Sequence, residues 1–303
     1  MTALSPAAAA TEGIRLIRRE PTAVLVWMLL WLGVLSIAAG VVASGERIAV
    51  SDHRTFRSLS DIVHGFGPFA AVFVGLFLLL WATTTVATYR AVLRPADGRY
   101  FFLRLGIDEL RVVIMTVTAF ILVLAFGGIP TYLLYVLLSP IMRALPSFTR
   151  EIATGGALAT VCVDIWLGVR LSLIAVETFA ERRFHLTAYW PLARGRFWYL
   201  FVSYFLFFLM FFVLTVLFFI VGGFLFEMAP AHIGAGDWLQ RSGILALAGM
   251  LAVLTVCFWV ISSTLFCACQ AHAFRAIIGG ARGASLPVKR PRSDAPRRVR
   301  ARR

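Results

Sequence analysis

In the stretch LATVCVDIWLGVRLSL, residues 158–173, an aspartate stands among valine, cysteine, isoleucine and tryptophan. Asp164 is the one acidic or basic residue well inside an apolar run of this chain. Arg170, six positions on, lies near the end of its run, where it can snorkel. A charge at the centre of a bilayer costs roughly 2.5–3.5 kcal/mol on insertion scales unless it is paired or wet. A carboxylate placed there either accepts hydrogen bonds and fixes helix register, or takes part in moving a proton, an ion or a headgroup. In steps of four its neighbours are Gly156, Thr160, Gly168 and Ser172, while Leu158, Ile165, Trp166 and Val169 fall on other faces. Small residues in one row let helices approach, which makes Gly156 and Gly168 packing positions and turns Asp164 toward the bundle.

Depth adds a second expectation. Counting six residues back from Arg90, Arg170 and Arg275 reaches Thr84, Asp164 and Cys269, with Thr83, Thr85 and Gln270 beside them. At 1.5 Å per residue this layer lies about 9 Å inside the inner boundary. The expected site is a polar cluster of Asp164 with Thr83, Thr84, Thr85, Thr160 and Gln270. In the stretch 126–134, FGGIPTYLL, Gly127, Gly128 and Pro130 read as a hinge, because glycine weakens a helix and proline kinks it.

Other chemistry finds no constellation. HExxH, GxSG and GxxxxGK[ST] do not occur. GAGD at 234–237 resembles the aspartyl-protease string, but Asp237 falls in an outer loop and Asp164 toward the inner side, so the two cannot share a proton. His53, His64, Asp52 and Asp61 lack the tight spacing of a metal site. Neither a metal nor another cofactor is expected.

The elements that must position these residues are apolar helices. The chain is 60% hydrophobic and 15% charged, against about 45–50% and 25% for a soluble domain. The excess falls in six apolar runs, at about 22–42, 68–88, 112–136, 153–173, 198–224 and 244–271, uncharged except for Asp164 and Arg170 in the fourth and each long enough to span a bilayer. The expected fold is all-α, a polytopic bundle of six transmembrane helices occupying 1–280. The first run is too long for a signal-peptide core. The fifth, FVSYFLFFLMFFVLTVLFFI, has few polar groups and reads as a lipid-facing or packing helix and not as part of a pathway. Cys162, Cys257, Cys267 and Cys269 lie within the runs and read as small buried residues.

Charge gives orientation. With both termini on one side, that side holds 23 of the 29 lysines and arginines, which places it in the cytoplasm of a bacterial inner membrane. The tail, 281–303, carries nine basic residues against Asp294 and is expected to be disordered. It either stays solvated, fixing topology, or meets anionic headgroups; nucleic acid is disfavoured because no aromatic residues are interleaved for stacking. The segments before spans one, three and five, EGIRLIRREPTAVLVW, YFFLRLGIDELRVV and HLTAYWPLARGRFWYLF, mix apolar residues with arginines as short interfacial helices do. The even spans end alike, in TYRAVL, GVRLSL and AFRAII, so the chain can be read as three copies of an interfacial helix and a helix pair.

RPADGRYFFLRLGIDELR, TFAERRFHLTAYWPLARGRFW and EGIRLIRREP resemble a group of bacterial six-span proteins similar to the membrane domain attached to some glycerophosphodiester phosphodiesterases. In that family hydrolysis belongs to a separate soluble barrel, for which the spans and tail leave no room. The resemblance thus implies a membrane module with no catalytic residue to carry over. The residues favour a non-enzymatic module that binds lipid or scaffolds a partner. The alternative is a small transporter or permease using Asp164.

Overall fold

The computed structural model describes residues 5–51, 59–144, 149–182, 184, 194–227 and 238–285. Among these there is no strand. The helices are α1 (Pro6–Arg19), α2 (Pro21–Ser51), α3 (Leu59–Leu93), α4 (Ile107–Val123), α5 (Ile129–Ala144), α6 (Thr149–Leu171), α7 (Ile174–Glu181), α8 (Phe197–Glu227) and α9 (Trp238–Ser285). Each of the six apolar runs lies in a helix or a helix pair. Five helical stretches are long and apolar enough to cross a membrane, and α1 with α2 makes a sixth candidate. The third run is α4 and α5 joined by a π-helical turn, Leu124–Gly128. The fourth continues beyond residue 173 through α7.

Local chemistry explains the breaks. Ser5 caps α1 by accepting from the Ala8 amide, and Pro6 fills the first helical position, where no amide is needed. Pro21 then excludes helical geometry at Glu20, whose backbone sits at φ −127° and ψ 57°, and α2 leaves α1 at 90°. Ala9, Gly13 and Leu16 form one buried stripe on α1, packed on α8 and α9, while Arg15 and Arg18 point outward. α9 is the central element and touches α1, α2, α3 and α8.

The arginines at this basic end do more than mark orientation. Arg19 donates to the carbonyl of Ala91 and Arg275 to that of Val92, both in the last turn of α3. Arg94 donates to Ala180 near the end of α7, and Arg196 donates to Ile277 of α9. The last carbonyls of α3 and α7 have no partner within their helix and carry the negative end of its dipole, so a guanidinium there answers both needs. Ile277, by contrast, lies eight residues before the end of α9, and its carbonyl is bonded from within the helix.

Packing is uneven along the bundle. Trp27, Tyr89, Phe102, Phe179, Leu200 and Ile277 form a fully buried core toward the basic end. Farther away, Phe126, Tyr132 and Leu137 of the third span and Phe208, Val213 and Phe219 of α8 are exposed, the expected lipid-facing character of the fifth run.

The interfacial helices are met in part. α1 is one, but the segment before α4 is two short 3-10 turns, Pro95–Asp97 and Arg99–Phe102. Tyr100, Phe101 and Phe102 there take left-handed φ of 54–64°, which rules out a continuous right-handed helix. The third such segment falls largely on residues 185–193, outside the described residues. GAGD at 234–237 and residues 286–303 of the tail also lie outside them. Helix α9 itself runs on to Ser285, so the first tail residues are helical.

A Cβ on Gly13 would lie 2.6 Å from the Cα of Leu265, whereas one on Gly33 would meet nothing within 4 Å. Gly13→Val is expected to lower stability by about 1–3 kcal/mol through overpacking. Gly33→Ala should leave it unchanged or slightly raised, with thermal unfolding in detergent as the measurement.

Candidate functional site

The site is built on Arg90, in the last turn of α3, whose side chain is 7% exposed. One guanidinium nitrogen donates to Oε1 of Glu109 at 2.5 Å, and Glu109 is 4% exposed in the first turn of α4. The other donates to the carbonyls of Phe102 at 3.0 Å and Arg104 at 3.3 Å. Arg90 therefore ties α3, α4 and the strap between them to one point. Trp27 of α2 holds the same strap by donating to the Phe101 carbonyl at 3.2 Å, and Phe102 is buried in the core. The guanidinium also lies 5.9 Å from the Phe179 ring, with Arg94 at 4.9 Å from it. Fixed multiple donors on a planar cation suit this role; lysine has no such fork.

Around this anchor opens a cavity of about 640 Å³ lined by five arginines, Arg90, Arg94, Arg104, Arg111 and Arg182, with Asp108 and Glu109. Both carboxylates are already engaged. Asp108 accepts from Arg111 at 3.1 Å and lies 3.9 Å from Arg182, and Glu109 is held by Arg90. Oε2 of Glu109 is buried with no hydrogen-bond partner among the described residues. The net positive field of such a cavity favours an anion, and guanidinium forks match phosphate oxygens.

The expected polar cluster is only partly assembled. A smaller, partly open cavity of about 290 Å³ between the helices has a mostly apolar lining that includes Trp81, Phe120 and Phe266. It is also lined by Thr85, Gln270 and Gly168, together with Tyr89, Thr116, Ser172, Ser263 and Cys267. Tyr89 donates to Gln270 Oε1 at 2.8 Å, and Tyr204 donates to Ser172 at 2.7 Å. Thr83 and Thr84 are buried but donate to carbonyls of their own helix, at Leu79 and at Leu80 and Trp81. Thr160 likewise donates to Gly156. Cys267 and Cys269 are buried, but Cys162 is exposed.

Asp164 does not line this cavity. Its carboxylate packs on Gly127 of the π turn, so close that any Cβ there would collide with Oδ1, which is buried with no hydrogen-bond partner among the described residues. Asp164 thus docks α6 on the third span, and the glycine is required by contact. The stretch with Gly127, Gly128 and Pro130 holds an irregular turn: the Ile129 amide bonds five residues back to Leu124. A π turn is a recurrent feature of helices near functional sites. Gly156 and Gly168 are not close-packing positions, because a Cβ on either meets nothing within 4 Å. The side chain that Gly168 lacks is part of the void it lines.

Residue-by-residue reading missed the Arg90–Glu109 pair and the cavity. The available signal was the acidic pair Asp108–Glu109 inside an otherwise basic segment, at the start of a span. Acidic residues in the first turn favour the helix dipole, and that ordinary role conceals the long-range one. No protein-family model, curated protein or solved structure matches the chain.

Removing one member of a buried pair leaves the other charge uncompensated, a loss of about 3–5 kcal/mol. Glu109→Leu should unfold at markedly lower temperature in detergent, and adding Arg90→Met to it should restore much of the loss. Equal melting of Glu109→Leu and wild type would show that the pair does not hold the strap.

Proposed function

We propose that the chain is a non-enzymatic integral membrane module that binds an anionic, phosphate-bearing lipid at its basic end. In this reading the basic end faces the cytoplasm of a bacterial inner membrane, with both termini on that side, as the distribution of arginines favours. The observation that carries the proposal is the cavity of five arginines against two carboxylates. Arginine stays protonated and is a poor proton acceptor. With both carboxylates already engaged by arginines, the lining suits binding better than bond cleavage. Beside it, Tyr100, Leu105 and Ile107 are 77%, 71% and 67% exposed, an apolar rim among cations that fits the headgroup zone. The basic tail would add further attraction for an anionic surface. The proposal also fits the resemblance to a membrane domain that works apart from a catalytic barrel.

Each basic residue near an anionic surface contributes about 1 kcal/mol, or roughly fivefold in affinity. The chain carrying Arg104→Gln and Arg182→Gln should therefore bind phosphatidylglycerol-containing nanodiscs more weakly than wild type. The difference should shrink as salt is raised. Unchanged binding and unchanged co-purified lipid in that variant would sink the reading.

A second reading, a small permease, is favoured by the interior cavity with its hydroxyl and amide groups. Cys267 lines that cavity and is 5% exposed. If water and solute enter, a small membrane-impermeant thiol reagent should modify Cys267 in sealed vesicles, and a transported solute should slow the labelling. No modification under conditions that label an exposed control cysteine would leave the permease reading unsupported.

A further inference from the structure

We propose that one acyl chain of the bound lipid lies along α3, in an apolar groove that adjoins the arginine cavity. The inference rests on the lipid reading above and specifies its ligand: a two-part molecule with a phosphate and a hydrocarbon chain, held between α2, α3 and the strap. The groove has a volume of about 450 Å³. Leu30 and Val34 of α2 form one wall, and Leu76, Leu79 and Leu80 of α3 the other. Thr83 also lines it, but its hydroxyl donates to the Leu79 carbonyl at 2.7 Å, which leaves no unsatisfied donor facing the groove. Arg104 and Leu105 line both this groove and the arginine cavity, so the two adjoin at the strap.

The adjacency follows from helix geometry. Leu76, Leu80, Thr83 and Arg90 are spaced by three, four or seven residues and fall on one face of α3, and Arg94 follows just past its end. That face is apolar along its first half and cationic at its end. From Leu76 to Arg90 it extends roughly 21 Å, more than the depth of roughly 15 Å for one leaflet of hydrocarbon core. A headgroup beside Arg94 and Arg104 would therefore leave its chain alongside Leu79 and Leu76. Leu30 and Leu79 are 42% and 47% exposed, so the groove opens sideways, the direction from which a lipid arrives. A free phosphate ester would occupy the arginines and leave the groove empty.

The strap makes the division between the two parts. Its carbonyls are held by Arg90 and Trp27, which leaves the exposed Arg104 side chain at the junction. There it meets the point where a glycerol phosphate joins its chain.

The test is native mass spectrometry of the full chain in detergent, titrated with dioleoyl phosphatidylglycerol, dioleoyl phosphatidylcholine and glycerol 3-phosphate. Wild type should retain one phosphatidylglycerol in preference to phosphatidylcholine. Leu79→Trp and Val34→Trp, which fill the groove, should each weaken retention about tenfold. Leu217→Trp, at an exposed position on α8, should leave it unchanged. Arg104→Gln should weaken it as well, and glycerol 3-phosphate should compete poorly. If both groove variants melt like wild type and bind phosphatidylglycerol as well while Arg104→Gln binds less, the chain seat is wrong and the headgroup reading survives. If glycerol 3-phosphate competes as strongly as the lipid, the ligand is a soluble phosphate ester and the proposal falls. If neither the arginine nor the groove variants alter retention, both readings fail together.

Discussion

The structure depends first on a cation that cannot be left bare. Arg90 is buried at the end of α3, and an unpaired charge at that depth would be prohibitive. Its demand for acceptors is met by the Glu109 carboxylate and by two carbonyls of the strap between α3 and α4. The same bonds decide where α4 begins, where Phe102 enters the core and where Arg104 is left exposed. A buried pair of this kind contributes little net stability, because desolvation offsets most of the attraction. What it supplies is one arrangement in preference to others.

This matters more in a membrane than in water. Lipid tails are as apolar as leucine, so no hydrophobic force presses the spans together. Close contacts and polar bonds must do so instead. Gly13 brings α1 onto α9 at Leu265, and Gly127 lets α6 dock its aspartate on the third span. Arginines fasten carbonyls of α3, α7 and α9. Gly13 and the arginine contacts lie toward the basic end, as does the fully buried core, whereas the Gly127 contact lies farther along the third span. Toward the other end the third span and α8 present phenylalanine, leucine and valine outward, as helices solvated by lipid do.

The two cavities differ in what they can hold. The outer one is charged and borders exposed aromatic and aliphatic side chains, with an apolar groove leading away along α3. The inner one is smaller, has no charged lining residue and is lined by side chains that largely bond within the protein. The first presents guanidinium donors that suit an anion, and the second is a mostly apolar space between the helices. Asp164 belongs to neither: its carboxylate serves the contact between α6 and the π turn.

Composition and hydropathy alone determined that the chain is a bundle of membrane helices, because an uncharged run of twenty residues has few other stable fates. Each run falls within a helix or a helix pair, although several helices extend well past the run's ends. Counting depth from the inner arginines named Thr85 and Gln270, and both line one cavity; periodicity along a single helix was less informative. It failed for Asp164, because a helix face says which way a residue points and not which neighbour it finds. It failed again for Gly156 and Gly168, where small residues line space instead of closing a contact. The charge that shapes the candidate site was visible as arginines gathered at one end, yet their partners were not. Arg90 and Glu109 are nineteen residues apart, and Phe102, Arg104 and Ala180 offer only backbone carbonyls, which every residue has. Only the tertiary structure could choose among them, since a buried guanidinium bonds to whichever acceptors the packed helices bring within reach.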